Sequence, residues 1–310
     1  MKNNTIRIGT RGSQLALWQA HQTRDALLKV YPHLDCEIVV IKTKGDIILD
    51  VSLSKIGDKG LFTKEIERAL INGDIDVAVH SLKDLPTELP HGLIIGGVLP
   101  RGEVRDVFVS KDGRKLSEMT ANDRVGTSSL RRQAQVLSCY PHIQIVDIRG
   151  NVNTRIKKMN EGHCEGMIMA GAGLMRLGME ELITEYIDPD VVMPAVSQGV
   201  VAIEIREDDP AIQSVIDGIS DYGTWQCAVA ERAFLRTLEG GCQVPVACYI
   251  QQVNHKMRIN GMVASLDGTT LIRNALECDP EEMAENAIEL AFKILNEGGD
   301  SILSNIRIPE

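Results

Sequence analysis

The stretch TIRIGTRGSQLALWQAHQTRDALLKV, residues 5–30, sets the pattern for the fold. A short β-rich run, TIRIG, meets a loop of Thr, Arg, Gly and Ser, and a long helical pattern follows. Leu17, Ala20, Leu27 and Leu28 fall on one helical face, and Ser13 stands where an N-cap belongs. The rhythm then returns. CEIVVIK reads as a buried strand, TKEIERALING as a short helix and IDVAVH as a strand. RVGTSSLRRQAQVL and QIVDIRGNVNTRIKKM repeat strand–loop–helix, and EGMIMAGAG reads as a buried strand running into a glycine turn. Such alternation predicts an α/β fold with parallel or mixed sheets. IGTRGSQLAL and VGTSSLRRQA both put Gly-Thr at a strand end before a polar helix start, which fits two similar α/β domains.

Pro, Gly and charge cluster in LPRGEVRD, residues 99–106, and a second break falls at MPAVSQG, residues 193–199. If the strand VVAIEI that follows returns to the first domain, the two breaks form a double hinge. The last third differs. TWQCAVAERAFLRTLEGG is a helix with Ala230, Phe234 and Leu238 spaced at four and glycines at its end. VPVACYIQQ, KMRINGMVAS and TTLIRNALEC alternate as antiparallel strands, and PEEMAENAIELAFKILNEGG is a closing amphipathic helix ended by glycine. This part reads as a separate, small α+β domain.

Bulk properties narrow the class. A chain of 310 residues suits two or three domains, and 44% hydrophobic with 25% charged residues is the composition of a soluble globular protein. No run of about 18 apolar residues is present, and the first residues carry no hydrophobic leader pattern, so neither a membrane partner nor export is expected. Seven scattered cysteines without a CxxC or Cys/His cluster argue against a disulfide framework and against a metal site, and point to the cytoplasm. The net charge of -10 disfavours nucleic acid. Residues 101–160 nonetheless hold 12 Lys+Arg against 6 Asp+Glu, a local balance of +6, which fits either a small anionic ligand or a solvated basic face.

Arginine carries the strongest chemical signal. Arg11 sits in GTRGS, Arg131 and Arg132 follow GTSS, and Arg149 and Arg155 bracket GNVNT. All five fall at strand ends or first helical turns, where α/β sheets bind ligands and helix dipoles favour anions. Guanidinium forks suit carboxylates. Ordinary surface salt bridges are the competing explanation. No GxxxxGK[ST] and no GxGxxG after a strand is present, so a nucleotide is weakly supported. In IDVAVHSLKDLP a buried strand ends in His80, Ser81, Lys83 and Asp84. Asp84 suits general acid–base work or cation stabilisation, or simply a turn before Pro86, and His80 suits a satisfied core histidine. The long connection at residues 43–62 carries Lys55, Lys59 and Phe62 and reads as a lid over an anion or as a solvated loop. Cys242, in LEGGCQVPVACY, follows a helix C-terminus whose dipole does not activate a thiol. Packing explains most lone cysteines; the flanking glycines leave covalent attachment open.

Taken in order and spacing, TRGSQLALWQA, KTKGD, GDKGLFTKEIE, DVAVHSLKDLP, RDVFVS, VGTSSLRRQAQ, DIRGNVNTR, AGAGLMRLG, PAVSQG and AERAFLRTLEGGCQVP resemble the porphobilinogen deaminase (hydroxymethylbilane synthase) family over almost the whole chain. The resemblance implies a transferase that joins four porphobilinogen molecules head to tail into hydroxymethylbilane, releasing ammonia, for haem and other tetrapyrroles. It implies a dipyrromethane primer held by a thioether to Cys242, with Asp84 as the catalytic carboxylate. It places Arg11, Ser13, Ser81, Lys83, Thr127, Ser128, Ser129, Arg131, Arg132, Arg149, Gly150, Arg155 and Gln198 around cofactor and substrate. It also implies a monomer of three domains: residues 1–99 with 200–218, residues 105–193, and residues 222–310. The first two resemble periplasmic binding proteins with mixed sheets, joined by hinges near 100–104 and 194–199. Gly12, Gln14, Gly171 and Ser197 depart from the family's usual residues, and none of them removes an expected charged or thiol group. The rival readings are a non-enzymatic solute-binding protein, against which the Cys242 domain argues, and a cysteine hydrolase, which would need a histidine near Cys242. His255 is the only histidine of the last domain.

Overall fold

In the computed structural model, which describes residues 5–47, 62–238 and 244–307, the opening stretch forms strand β1 (Thr5–Thr10) and helix α1 (Gln14–Val30). Ser13 is extended and its hydroxyl accepts from the Ala16 N–H, so the N-cap is as expected. The buried stripe of α1 is Ala16, Gln19, Ala20, Thr23 and Leu27, whereas Leu17 and Leu28 are only half-buried. Two polar residues enter the stripe because each is satisfied there. Thr23 donates to the Gln19 carbonyl, and Gln19 donates to Ser81.

Strand β2 (Asp35–Val40) pairs parallel to β1 at a sheet edge. Its residues are half-buried or exposed, so CEIVVIK is an edge strand and not the buried strand its composition predicts. A short helix α2 (Lys44–Ile47) and helix α3 (Lys64–Ile71) follow, then β3 (Val77–Ser81), a 3-10 turn (Leu82–Asp84) and β4 (Leu93–Val98). The sheet is completed much later in the chain by β10 (Val201–Arg206), antiparallel to both β3 and β4, in the order β2-β1-β3-β10-β4. Ile6, Ile8, Val77, Val79, Ile203 and Ile205 pack one face against Ala20 and Leu27 of α1 and against α7 (Pro210–Asp217). Ile66 and Leu70 of α3 cover Ala78 on the other face.

A second sheet repeats the plan. Strands β5 (Asp106–Ser110), β6 (Arg124–Gly126), β7 (Gln144–Val146), β8 (Gly166–Ala170) and β9 (Glu185–Tyr186) lie in the order β7-β6-β8-β5-β9. β6 is parallel to β7 and β8, and β5 is the antiparallel member. Thus β6 holds the place that β1 holds in the first sheet. The two Gly-Thr segments noted in the sequence are topologically equivalent, and each leads to a serine-capped helix: Ser129 caps α4 (Leu130–Cys139). Helix α5 (Val152–Asn160) follows β7. After β8 the glycines of AGAG begin helix α6 (Gly171–Arg176) and do not form the expected turn. A Cβ at Gly171 would come within 3.1 Å of the Arg105 carbonyl, so the glycine allows this close backbone approach.

The third sheet is an antiparallel meander, β11 (Val246–Val253), β12 (Lys256–Ala264) and β13 (Leu271–Cys278). Helices α8 (Tyr222–Thr237), α9 (Met283–Ile294) and α10 (Asp300–Arg307) accompany it. Phe234, Ile259, Val263, Leu290, Ile294 and Leu303 share its core. Gly298, at φ 109°, marks the expected glycine stop of α9, but the chain resumes a helix beyond it. The fold is thus α/β with two mixed sheets and a third, small sheet domain. By compactness the chain forms two units, Met1–Gly102 with Gly199–Trp225, and Glu103–Gln198 with Gln226–Glu310.

In the second unit the turn from Ala195 to Gln198 puts Ser197 at φ 60°, in the left-handed region, with its hydroxyl buried and unpartnered among the described residues. Glu231 of α8 holds this turn by accepting from the Ser197 N–H at 2.6 Å, while its other oxygen accepts from Ile250 N. Glycine adopts this backbone freely, and serine does so at a cost of about 1–2 kcal/mol, part of which glycine's unfolded-state entropy offsets. Ser197→Gly is therefore expected to stabilise the protein by about 1 kcal/mol, read as a melting temperature higher by roughly 2 °C. An equal or lower melting temperature would refute the strain.

Candidate active site

Two groups of the expected residues can be built from their elements, one in each unit. In the first unit β3 lies between β1 and β10, so Ser81 and the following turn stand at the end of a central strand. The Leu82 N–H donates to Val200 O and Leu85 N–H to Leu82 O, which fixes the turn that presents half-buried Lys83 and exposed Asp84. Gln19 Nε2 donates to Ser81 Oγ at 2.7 Å and orients that hydroxyl. Arg11 leaves β1 next to capping Ser13, and its guanidinium carbon lies 4.2 Å from the ring centroid of Phe62, a cation–π contact. The structure thus places Phe62 beside Arg11. Lys55 and Lys59 of the expected lid, and Cys242, lie outside the described residues.

In the second unit the loop after β6 is held by its own polar groups. Thr127 is buried, and its hydroxyl accepts from the Ser129 N–H. Ser128 donates to Ile148 O at 2.7 Å. Arg131 and Arg132 turn inward on the first turn of α4. Arg132 donates to Asp106 Oδ1 through Nε at 3.1 Å and Nη2 at 2.7 Å, and to Ile168 O. Arg131 Nη1 pairs with Asp106 Oδ2 at 2.8 Å and also reaches Met193 O. Gln198 is buried too and donates to Val104 O and Asp106 Oδ1. Asp106 is 0% exposed. Burial pushes its carboxyl up, but Arg131 and Arg132 outweigh burial and hold it well below the usual carboxylate range.

The loop before α5 is different. Arg155 Nε donates to Gly150 O at 2.7 Å, and Lys158 Nζ donates to Arg149 O. Gly150 has φ 118°, and a Cβ there would sit 2.7 Å from Thr154. Arg149 Nη1 is buried without a hydrogen-bond partner among the described residues. A buried guanidinium N–H with no acceptor is a place for an anion.

The arginines of GTSS and GNVNT therefore do different work. Arg131 and Arg132 are charge-paired inside the unit, while Arg149 keeps a donor open. The sequence pattern did not single out Asp106 and Gln19. Asp106 opens a buried strand, and a carboxylate in that position is itself a sign of buried cations. Gln19 carries no such signal, because only the fold brings it to Ser81. Half-buried Arg176 and buried Arg232 are two further arginines, each pulled down to about 10, Arg176 by burial and Arg232 by burial with Arg236 adding to it. Among the described residues no group of three His, Cys, Asp or Glu is arranged to hold a metal, and no helix is long and apolar enough to cross a membrane.

Residues 6–214 match the family model described as porphobilinogen deaminase, dipyromethane cofactor binding domain, and residues 225–296 match the model of its C-terminal domain. The chain belongs to the porphobilinogen deaminase family. A porphobilinogen deaminase of Syntrophomonas wolfei is 49% identical over 302 residues, covering 97% of this chain and 99% of the relative. One of Desulforamulus reducens is 48% identical over 305 residues, covering 98% and 99%. Among solved structures, the methionine binding protein MetQ aligns with 74% of this chain and 95% of its own, at a TM-score of 0.46 and 14% identity. Porphobilinogen deaminases are transferases that polymerise porphobilinogen for tetrapyrrole synthesis, and the first matched domain is the one that binds their dipyrromethane cofactor.

The Asp106 pairing has a measurable consequence. Its contribution to stability is complete above the ordinary aspartate value of about 3.9 and is lost as pH falls below that toward the lower folded value. Asp106→Asn leaves two buried arginines uncompensated and is expected to cost about 3–5 kcal/mol, read from chemical denaturation at pH 7. A loss under about 1 kcal/mol would show that the arginines find other partners.

Proposed function

We propose that this chain joins four porphobilinogen molecules head to tail into hydroxymethylbilane, with Asp84 as the catalytic carboxylate and Cys242 as the thioether anchor of the dipyrromethane. One observation carries the site assignment: the buried, acceptor-less N–H of Arg149 in the loop that opens α5. Each pyrrole of substrate and product bears an acetate and a propionate, so a site for the growing chain needs several fixed cationic donors. Arg149, Arg155 and Arg11 supply charge, while Ser13, Ser81, Thr127, Ser128 and Ser129 supply or shape polar contacts at strand ends. Arg131, Arg132 and Gln198 serve the same ligand from a rigid position, since Asp106 fixes their direction. The open Arg149 donor fits a carboxylate-bearing cofactor. When bound, the dipyrromethane supplies the pyrrole carbon from which the chain grows.

Asp84 suits the ionic part of the reaction. Loss of ammonia from an aminomethylpyrrole leaves a cationic azafulvene. A carboxylate beside its pyrrole N–H stabilises that cation by a charge-assisted hydrogen bond, and the same carboxylate can take up and return protons as units are joined. Lys83 and Ser81, at the same strand end, position substrate carboxylates. The lid role of Lys55, Lys59 and Phe62 belongs to this proposal, supported by the cation–π contact of Phe62 with Arg11. So do a monomeric state, a cytoplasmic location, and three domains at residues 1–99 with 200–218, 105–193 and 222–310, hinged near 100–104 and 194–199. The exchange of β10 into the first sheet supports the last of these.

The intact mass of the purified protein is expected to exceed the sequence mass by two linked pyrrole units. An unmodified and fully active protein would sink the anchored primer. Cys242→Ser is expected to abolish both the added mass and turnover. Asp84→Ala is expected to keep the added mass and to lose ammonia release by at least a hundredfold, on the order of the contribution of a positioned acid–base group. Near-normal release would remove Asp84 from the mechanism.

A further inference from the structure

One residue before the catalytic turn, β3 carries His80, which the scheme above does not use. In the antiparallel ladder His80 pairs with Ala202 and Ala78 pairs with Glu204, so His80 and Glu204 share one face of the sheet. His80 Nε2 lies 3.1 Å from Glu204 Oε2, and both side chains are buried. Helix α3, which packs Ile66 and Leu70 on that face against Ala78, brings a third buried titratable group, Glu67. Glu67 Oε1 and Glu204 Oε1 are each buried without a hydrogen-bond partner among the described residues.

Two ionised carboxylates, each with one buried oxygen lacking a donor, are unfavourable in one apolar shell, and a single proton between them supplies a donor. The charges around Glu67 agree with this. Burial pushes its carboxyl up and Glu204 adds to that; Thr63, His80 and Lys64 pull the other way without reversing it.

We propose that Glu67, His80 and Glu204 form a buried proton-holding cluster that positions the turn bearing Ser81, Lys83 and Asp84. Glu67 and Glu204 share one proton, and the His80 N–H donates to Glu204 and ties the strand end to β10. These are positioning residues, and the inference rests on the reading of Asp84 as the catalytic carboxylate.

The sign of the pH dependence follows. The unfolded chain ionises Glu67 near the ordinary glutamate value of about 4.3, and the folded chain does so at higher pH. The stabilising contribution is whole below the unfolded value and is lost as pH climbs through the folded one. Glu67→Gln keeps a donor toward Glu204 and removes that loss. Its melting temperature, relative to the unaltered protein, is therefore expected to rise by roughly 2–4 °C between pH 5 and pH 8. The unaltered holoprotein is expected to show the infrared carbonyl band of a buried carboxylic acid at neutral pH, and the band should vanish in Glu67→Gln. A melting difference that stays flat with pH, or a missing band, overturns the cluster.

A second pair of variants tests positioning. His80→Phe removes the donor and is expected to lower kcat at least roughly tenfold with little change in KM, while His80→Gln, which restores an N–H, recovers most of it. Equal kcat in the two would overturn the positioning role. Melting curves and infrared spectra need no turnover, so they judge the cluster whatever the fate of Asp84. Normal turnover by Asp84→Ala, with the melting shift of Glu67→Gln intact, would defeat the reading of Asp84 alone.

Discussion

A carboxylate with no exposure to water, Asp106, is the constraint on which the second unit depends. It opens β5 and pairs with Arg131 and Arg132 of α4. A buried charge is tolerated when it is paired and hydrogen-bonded, and here the pairing is reciprocal. Each arginine also reaches a carbonyl, of Met193 or Ile168, and Gln198 closes the group by donating to the same aspartate. A strand, a helix and the segment from Met193 to Gln198 are thereby joined through one anion. The arginines that begin α4 are consequently held in fixed directions.

The segment after Met193 shows the other side of this arrangement. Ser197 is held at positive φ while its N–H is taken by Glu231, a buried carboxylate of α8 that also accepts from β11. The turn is over-determined by its partners, which is how a strained backbone persists. Glu231 and Asp106 thus play parallel roles, each an interior acceptor that gathers donors from separate elements.

In the first unit the polar interior serves the strand that ends at the turn bearing Ser81, Lys83 and Asp84. Gln19 orients Ser81 from one helix, and His80 pairs with Glu204 of β10. The apolar contacts on both faces fix where β3 lies, and the polar groups fix how its last residues are turned. Polar interiors of this kind are specific because leaving any member unpaired is costly.

The sequence by itself determined the alternation of strands and capped helices, the two Gly-Thr repeats, the antiparallel last third, and the family, because these rest on local periodicity, capping residues and the order of motifs. It also marked Asp84, Lys83 and the five arginines, since strand-end position and residue type are both visible along the chain. Tertiary structure alone decided that CEIVVIK is an edge strand, that AGAG starts a helix, and that β10 enters the first sheet between β3 and β4. Only it separated Arg131 and Arg132, both paired with Asp106, from Arg149 with its open donor. The physical reason is the same throughout. Burial and pairing depend on partners distant in sequence, and a local pattern records the charge of a side chain but not what will stand opposite it.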